Sequence, residues 1–353
     1  MRLLNETIQH IEKPDETTYQ AALERLRNQA KPAGSLGLLE VLSARLASIF
    51  KTLDVRLDKK MIITCAGDHG ICEEGVSRFP SEVTPQMVLN FVNGGASINV
   101  LASHANAVVK VADLGVNYDF SPDLPIYHKK IGYGTANFAK MPAMTYEQAI
   151  QSIEAGIDIM NDIQSKTPIQ LLGTGDMGIG NTTPSTAIIA VYSNKSVVDI
   201  TGRGTGIDDE GLKRKIQAIE KGLNRHQPNP KDPIDVLSKV GGFEIGGLAG
   251  LVLGAAFHKI PVICDGIIST AGALLACEIC QTAKEYLFAS HRSVEQGHAM
   301  MLSHLNLTAL FDLQMRLGEG TGAAIAMNIL DASTRVLADI KTFEEVGIVD
   351  AQK

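Results

Sequence analysis

Five times along this chain, from residue 61 onward, a short β-branched or apolar run stops abruptly at a glycine-rich or polar turn and gives way to a segment of helical character. Residues 61–66 stop at Gly67-Asp68-His69-Gly70, residues 108–114 at Gly115, and residues 169–172 at Gly173-Thr174-Gly175-Asp176. Residues 261–264 stop at Asp265-Gly266, and residues 286–288 run into Ser290-His291-Arg292-Ser293. Strands alternating with helices predict an α/β fold with a largely parallel, Rossmann-like sheet flanked by helices. Ligands of such sheets gather outside the carboxyl ends of the strands, so the five turns are expected to share one functional rim.

The intervening segments carry helix signals. Thr84 followed by Pro85 predicts an N-cap and first helical residue for a helix running to about His104. Thr145 with Gln148 predicts a capping box ahead of Ile150, Ile153, Ile157 and Met160. Upstream of the first strand, residues 15–53 read as two helices broken at Lys31-Pro32-Ala33-Gly34-Ser35, with Leu38, Leu39, Leu42, Leu46 and Ile49 at helical spacing in the second. Lying ahead of the sheet, these helices are expected to form a small subdomain or a surface that meets another subunit.

At 353 residues the chain can bury one large α/β domain with an appendage, or two ordinary domains. With 45% hydrophobic and 20% charged residues it reads as globular, and a net charge of −7 disfavours nucleic acid or anionic lipid as partners. A small anionic metabolite in a local basic pocket is still permitted. Residues 1–28 mix apolar positions with Glu6, Glu12, Asp15, Glu16 and Glu24, unlike a signal peptide, and the best apolar run, 246–257, is too short to span a bilayer. A cytoplasmic location is expected. Cys65, Cys72, Cys264, Cys277 and Cys280 are an odd, scattered set, which favours reduced thiols. Cys277 and Cys280 spell C-x-x-C, but they fall in a stretch, 271–285, that reads as helix, and no second pair completes a zinc site.

One acid stands out. In Arg316-Leu317-Gly318-Glu319-Gly320-Thr321-Gly322 a carboxylate sits among glycines just ahead of an apolar stretch, where the backbone can turn freely and a ligand can approach closely. Glu319 is therefore a candidate chemical group; the alternative is a first-turn acid that balances a helix dipole. The run Gly173 to Pro184 follows a strand and leads to Thr183-Pro184, read as N-cap and first helical residue. Its glycines, amide and hydroxyls suit a phosphate or ribose cradle. The same run also contains Gly173-x-Gly175-x-x-Gly178, with Asp199 at about the ~20-residue offset of a ribose-binding acid, which keeps an NAD-linked oxidoreductase as an alternative. A second glycine turn, Thr201-Gly202-Arg203-Gly204-Thr205-Gly206, precedes Asp208 or Asp209 as helix cap, and that helix carries Lys213, Arg214 and Lys215. One of these cations is positioned to neutralise a phosphate; the alternative is a solvated helix face. Asp68 and His69 form a pair that could ligate a metal, but a structural or hydrogen-bonding role is expected of His69, and neither H-E-x-x-H nor G-x-S-x-G occurs.

Five motifs together carry a resemblance: residues 31–37, Gly67-Asp68-His69-Gly70, Gly178-Ile179-Gly180-Asn181-Thr182-Thr183, residues 201–206 and residues 316–322. In this order the chain resembles the nicotinate-nucleotide:dimethylbenzimidazole phosphoribosyltransferase family, which builds the lower-ligand nucleotide of cobalamin. The resemblance implies transfer of 5-phosphoribose from nicotinate mononucleotide to a benzimidazole, giving α-ribazole 5′-phosphate and nicotinate, without metal or cofactor. It implies a homodimer, and a large α/β domain over 59–315 with a small helical domain formed by 1–58 and 316–353. Glu319 then falls on the family's general base and Lys215 on its phosphate-binding cation. Gly178, Ile179, Gly180, Asn181, Gly204 and Thr205 fall on the phosphate and ribose cradle. Asp265 and Ser293 are implied contacts on the nicotinate or benzimidazole side, Met177 and Leu317 apolar walls, and Phe79 and Gln86 neighbours of the base. Two positions depart from the family's pattern. Asp176 stands where relatives commonly carry glutamate, which shortens that acid's reach by one methylene, and Phe79 is bulky where relatives are often small and polar. The preferred base is thereby left open among benzimidazoles, purines and phenols, and a non-catalytic nucleotide sensor stands as a third reading.

Overall fold

A computed structural model describes residues 1–193 and 195–349. Its strands are β1 (Lys60–Gly67), β2 (Ala107–Gly115), β3 (Tyr127–His128), β4 (Leu171–Met177), β5 (Val262–Cys264), β6 (Leu287–His291) and β7 (Ala309–Phe311). All pair in parallel in one sheet of order β3-β2-β1-β4-β5-β6-β7. The chain starts in the middle, winds outward through β2 and β3, then returns to β4 and winds the other way. The crevice at the ends of β1 and β4 is therefore the topological switch point, where ligands of open α/β sheets bind. β1 is buried along its whole length, as a central parallel strand covered on both faces must be.

Alternation of side chains assigns the two faces. Ile62 and Thr64 of β1 lie beside Gly173 and Gly175 of β4, beneath the helices Ser97–His104 and Thr321–Asp339. The opposite face is covered by Phe243–Phe257, Tyr146–Lys166 and Ile267–Ile279. Gly156 and Gly250 let the first two of these touch backbone to backbone, since a Cβ at Gly250 would stand 1.9 Å from Ile153 O. The N-terminal helices Glu16–Asn28 and Leu38–Phe50 pack on Thr321–Asp339, and Gln29 Nε2 donates to Val336 O at 2.6 Å.

Several local expectations hold. Thr145 and Gln148 form the capping box of Tyr146–Lys166, and Asp208 caps Asp209–His226 by accepting the N–H of Gly211 at 2.7 Å. Others are corrected. Gly173-Thr174-Gly175-Asp176 is not a turn: β4 runs through it to Met177. Glycine usually weakens a strand, but here close approach demands it, because a Cβ on Gly175 would lie 2.2 Å from Glu319 O. The dinucleotide fingerprint falls with that turn, and Asp199 lies in the short helix Val197–Ile200 rather than at a strand end. The helix read from Thr84 begins at Val83 with Glu82 as N-cap, stops at Val92, and is followed after Gly94-Gly95 by a separate helix from Ser97. Similarly, Asn181 rather than Thr183 is the N-cap of Thr182–Tyr192. In both cases proline sits inside the first turn, where no N–H bond is lost. The stretch 271–285 is the end of Ile267–Ile279 plus a 3₁₀ turn, Gln281–Tyr286, and Cys277 and Cys280 are free thiols.

Candidate active site at the switch point of the sheet

Glu319 is held from four directions. Its N–H donates to Asp176 O at 3.1 Å, its carbonyl accepts the Thr64 hydroxyl at 2.9 Å, and its Oε2 accepts the N–H of Ile98 at 3.1 Å. The residue has φ +64°, a left-handed conformation rare outside glycine, between Gly318 and Gly320 that are also at positive φ. The fourth restraint comes from Asp265 at the end of β5, whose Oδ2 and Oδ1 accept the N–H groups of Gly320 at 2.9 Å and Gly322 at 2.7 Å. Dipole balancing does occur, but with the parts exchanged. Asp265 serves the helix that follows Glu319, whereas Glu319 serves the first turn of Ser97–His104.

Glu319 is 5% exposed, and burial raises its pKa above the usual carboxylate range against the pull of the Ile98 N–H. Among the described residues its Oε1 accepts no hydrogen bond. Burial likewise pushes Asp265 up to about 7 despite its backbone donors. Asp176 is pushed well up by burial and by the nearby acids, while the Asn181 amide, donating to Oδ2 at 2.9 Å, opposes the shift. Three carboxyl groups thus crowd one switch point with raised pKa values, a pattern that concentrates at chemical sites.

Beyond β4 the chain makes its turn at residues 178–181. A Cβ on Gly178 would lie 2.4 Å from Gly67 O, so only glycine fits against the end of β1. Ile179 N donates to the Thr84 hydroxyl at 3.2 Å. Across from it lies the turn 201–206, and between them stands Lys215, fully buried, with Nζ donating to Thr182 Oγ1 at 2.7 Å and to Gly202 O at 3.2 Å. Burial lowers its pKa to about 8. The solvated-face reading thus applies to Lys213 and Arg214, which are exposed, but not to Lys215.

His69 Nε2 lies 2.8 Å from Glu244 Oε1; burial works against the imidazolium, but Glu244 outweighs it and raises the pKa. Asp68 Oδ2 accepts the N–H of Asn117 at 2.8 Å. Past these residues a cavity of about 690 Å³ opens, lined by Asp68, Arg78, Phe79, Ser81 and Tyr133 among others, and Phe79 is 46% exposed on its wall. It adjoins one of about 340 Å³ that Gln86 lines, through shared walls at Asp68, Ser81 and Asn117. On the other side Arg78 also lines a cavity of about 410 Å³ with Gly206, Asp208 and Arg214. Leu317 is exposed just ahead of Glu319, and Met177, at the end of β4, is half-buried. Ser293 N–H donates to His298 Nδ1 at 3.0 Å, so its backbone is engaged.

Sequence reasoning passed over Ile98, Glu244 and Glu295. Glu295 Oε1 accepts the N–H of Gly204 at 2.8 Å. Its only signal in the sequence was a place two residues after Ser293.

A central switch point, two glycine turns with a buried lysine between them and a buried carboxylate beside β4 make up a ligand site of the α/β class, and residues 11–348 match the phosphoribosyltransferase family. The nicotinate-nucleotide–dimethylbenzimidazole phosphoribosyltransferase of Citrifermentans bemidjiense is 54% identical over 99% of this chain and 100% of its own. Its counterpart in Chloroflexus aurantiacus is 51% identical over 99% of each. The crystal structure of CobT from Thermus thermophilus superposes with a TM-score of 0.91 at 40% identity, covering 95% of this chain and 100% of that one. The chain belongs to the nicotinate-nucleotide–dimethylbenzimidazole phosphoribosyltransferase family.

Proposed function

We propose that this protein transfers 5-phosphoribose from nicotinate mononucleotide to 5,6-dimethylbenzimidazole or a related base, with Glu319 as general base. The observation that carries this reading is the Glu319 carboxylate: buried, raised in pKa, fixed through Oε2 and the backbone, and with Oε1 free of hydrogen bonds among the described residues. In the reaction the bond from the anomeric carbon to the pyridinium nitrogen breaks, and its electron pair neutralises that nitrogen, so the leaving group needs no acid. The incoming base forms the new bond through one ring nitrogen and loses the proton from its N–H to Glu319. A base works best when its pKa lies near the working pH, which the burial of Glu319 favours, and contributes ~10²- to 10⁴-fold. Attack from the face opposite nicotinate converts the β-nucleotide into an α-nucleotide.

In this reading Lys215 and the turns at 178–181 and 201–206 hold the phosphate and ribose, with Gly178, Ile179, Gly180, Asn181, Gly204 and Thr205 as contacts. Phe79, Gln86, Met177 and Leu317 shape the base pocket. Asp265 acts through Glu319 as a positioning residue. Residues 1–58 with 316–349 form the small helical domain and 59–315 the large one, with positions 350–353 of the expected small domain and residue 194 of the large one outside the described residues, and the working unit is a cytoplasmic homodimer. No described helix is long and apolar enough to cross a membrane.

The test is incubation of the purified protein with nicotinate mononucleotide and dimethylbenzimidazole, following nicotinate release and the product by mass. Absence of turnover across a panel of benzimidazoles, purines and phenols overturns the reading. Binding of the mononucleotide without bond cleavage identifies a sensor instead.

A further inference from the structure

The turn 201–206 is gripped from two sides by opposite charges. On one side Lys215 Nζ donates to Gly202 O at 3.2 Å and to Thr182 Oγ1 at 2.7 Å. On the other, Glu295 Oε1 accepts the N–H of Gly204 at 2.8 Å, and its Oε2 is buried with no partner among the described residues. The fit against Gly202 is close enough that a Cβ there would lie 2.2 Å from Oε2. A buried carboxylate beside a site read as an anion cradle is unexpected, because it opposes the negative charge that the cradle would receive. A buried carboxylate oxygen left without a donor is costly, so a compensating task is required.

The task follows from the geometry. Lys215 is fully buried, and the carboxylate of Glu295 is the acid that favours its charged form. The remaining charges nearby are otherwise engaged. Arg316 Nη1 donates to Gly204 O at 3.2 Å, Arg203 pairs with Asp209 at 2.5 Å, and Lys213 pairs with Glu210 at 3.0 Å on the exposed face of the Lys215 helix. Arg214 reaches away to Gly75 O at 3.3 Å.

We propose that Glu295 is a positioning residue for the phosphate site, pinning the turn at Gly204 and placing a carboxylate across Gly202 from Lys215, where it favours the ammonium. The proposal rests on the reading of Lys215 as the phosphate-binding cation. Glu295 is itself held: its N–H donates to Ser293 Oγ at 3.3 Å, and Ser293 N–H is anchored on His298. That makes the carboxylate part of the frame rather than a mobile arm.

The experiment compares Glu295→Gln and Glu295→Asp with the unaltered enzyme, measuring KM for nicotinate mononucleotide and kcat from about pH 6 to about pH 8.5, after thermal unfolding has shown each variant folded. Burial already lowers Lys215 to about 8, so loss of the carboxylate lowers it further. The KM ratio of the Gln variant to the unaltered enzyme should be within about twofold at the acid end and rise to ~tenfold at the alkaline end, the factor that one pKa unit carries. The Asp variant, which keeps the charge, should restore most of the high-pH affinity. A merely structural role predicts a ratio independent of pH with Asp as poor as Gln, and that result, or unchanged KM throughout, overturns the proposal. Lys215→Met separates the two levels of argument. If it leaves nucleotide KM unaltered, the phosphate-site reading fails and the proposal with it; if it raises KM while the Gln ratio stays flat, only the proposal fails.

Discussion

Glu319 Oε2 accepts the backbone N–H of Ile98 at 3.1 Å, so the candidate base caps a helix that lies 221 residues earlier in the chain. The bond fixes one carboxylate oxygen and leaves the other without a hydrogen bond among the described residues. Replacing Glu319 by Gln keeps an oxygen for Ile98 but removes the proton acceptor. The variant should fold and bind nicotinate mononucleotide normally while turnover falls ~10²- to 10⁴-fold. Nucleotide affinity by calorimetry, together with kcat, checks this; near-normal kcat would remove Glu319 from the role of base.

Gly175 is expected to be as sensitive as Glu319 itself, without any chemistry of its own. A methyl group there would meet Glu319 O at 2.2 Å and Gly320 N at 2.7 Å, both backbone atoms that cannot swing aside. Gly175→Ala should cost about 1–3 kcal/mol in unfolding free energy. Because the turn must shift, kcat should fall by more than nucleotide KM rises. Denaturant unfolding and steady-state kinetics on one preparation test both parts.

Phe79 stands on the wall of the cavity of about 690 Å³, whose lining includes neither Lys215 nor the turns at 178–181 and 201–206. Phe79→Ala should therefore alter the ranking of competing bases, by ~tenfold or more for the bulkiest, as expected when an apolar wall is removed. KM for nicotinate mononucleotide should stay within about twofold. Competition assays with product masses would show it, and an unchanged base ranking would remove Phe79 from the pocket.

His298 supplies an acid limit to stability. It accepts the Ser293 N–H on Nδ1 and meets the Thr270 hydroxyl through Nε2 at 3.0 Å, an arrangement that only neutral imidazole satisfies. Burial, helped by His291, lowers its pKa to about 3 from an ordinary value of 6.5. The unfolded chain therefore takes up a proton that the folded chain refuses. The stabilising contribution is complete above about pH 6.5 and is lost as pH falls toward about 3, with a slope approaching about 1.4 kcal/mol per pH unit. His298→Gln should be less stable near neutrality yet lose less stability as the pH is lowered through the mildly acid range, as read by urea unfolding at each pH.

The parallel frame was legible because β1, β2 and β4 to β6 are short apolar runs punctuated by polar or glycine ends, and Thr145 or Asp208 mark helix starts locally. Tyr127–His128 was not legible because two residues show no pattern, and Ala309–Phe311, unlike the equally short β5, is only half-buried and holds no β-branched residue. β4 misled for a physical reason: its glycines signal a neighbouring backbone, and sequence alone cannot distinguish that from a turn. Glu319 and Lys215 were visible through their glycine surroundings and the family's motifs. Their partners Ile98 and Glu295 were not, because the N–H groups and carboxylates concerned meet across 221 and 91 residues of chain.

The crowding of Asp176, Asp265 and Glu319 at the switch point bears on where the proton goes. Burial pushes all three toward their protonated forms, so the cluster resists gathering negative charge. In the proposed reaction the proton that Glu319 takes from the incoming base therefore lands where a neutral carboxyl is already favoured.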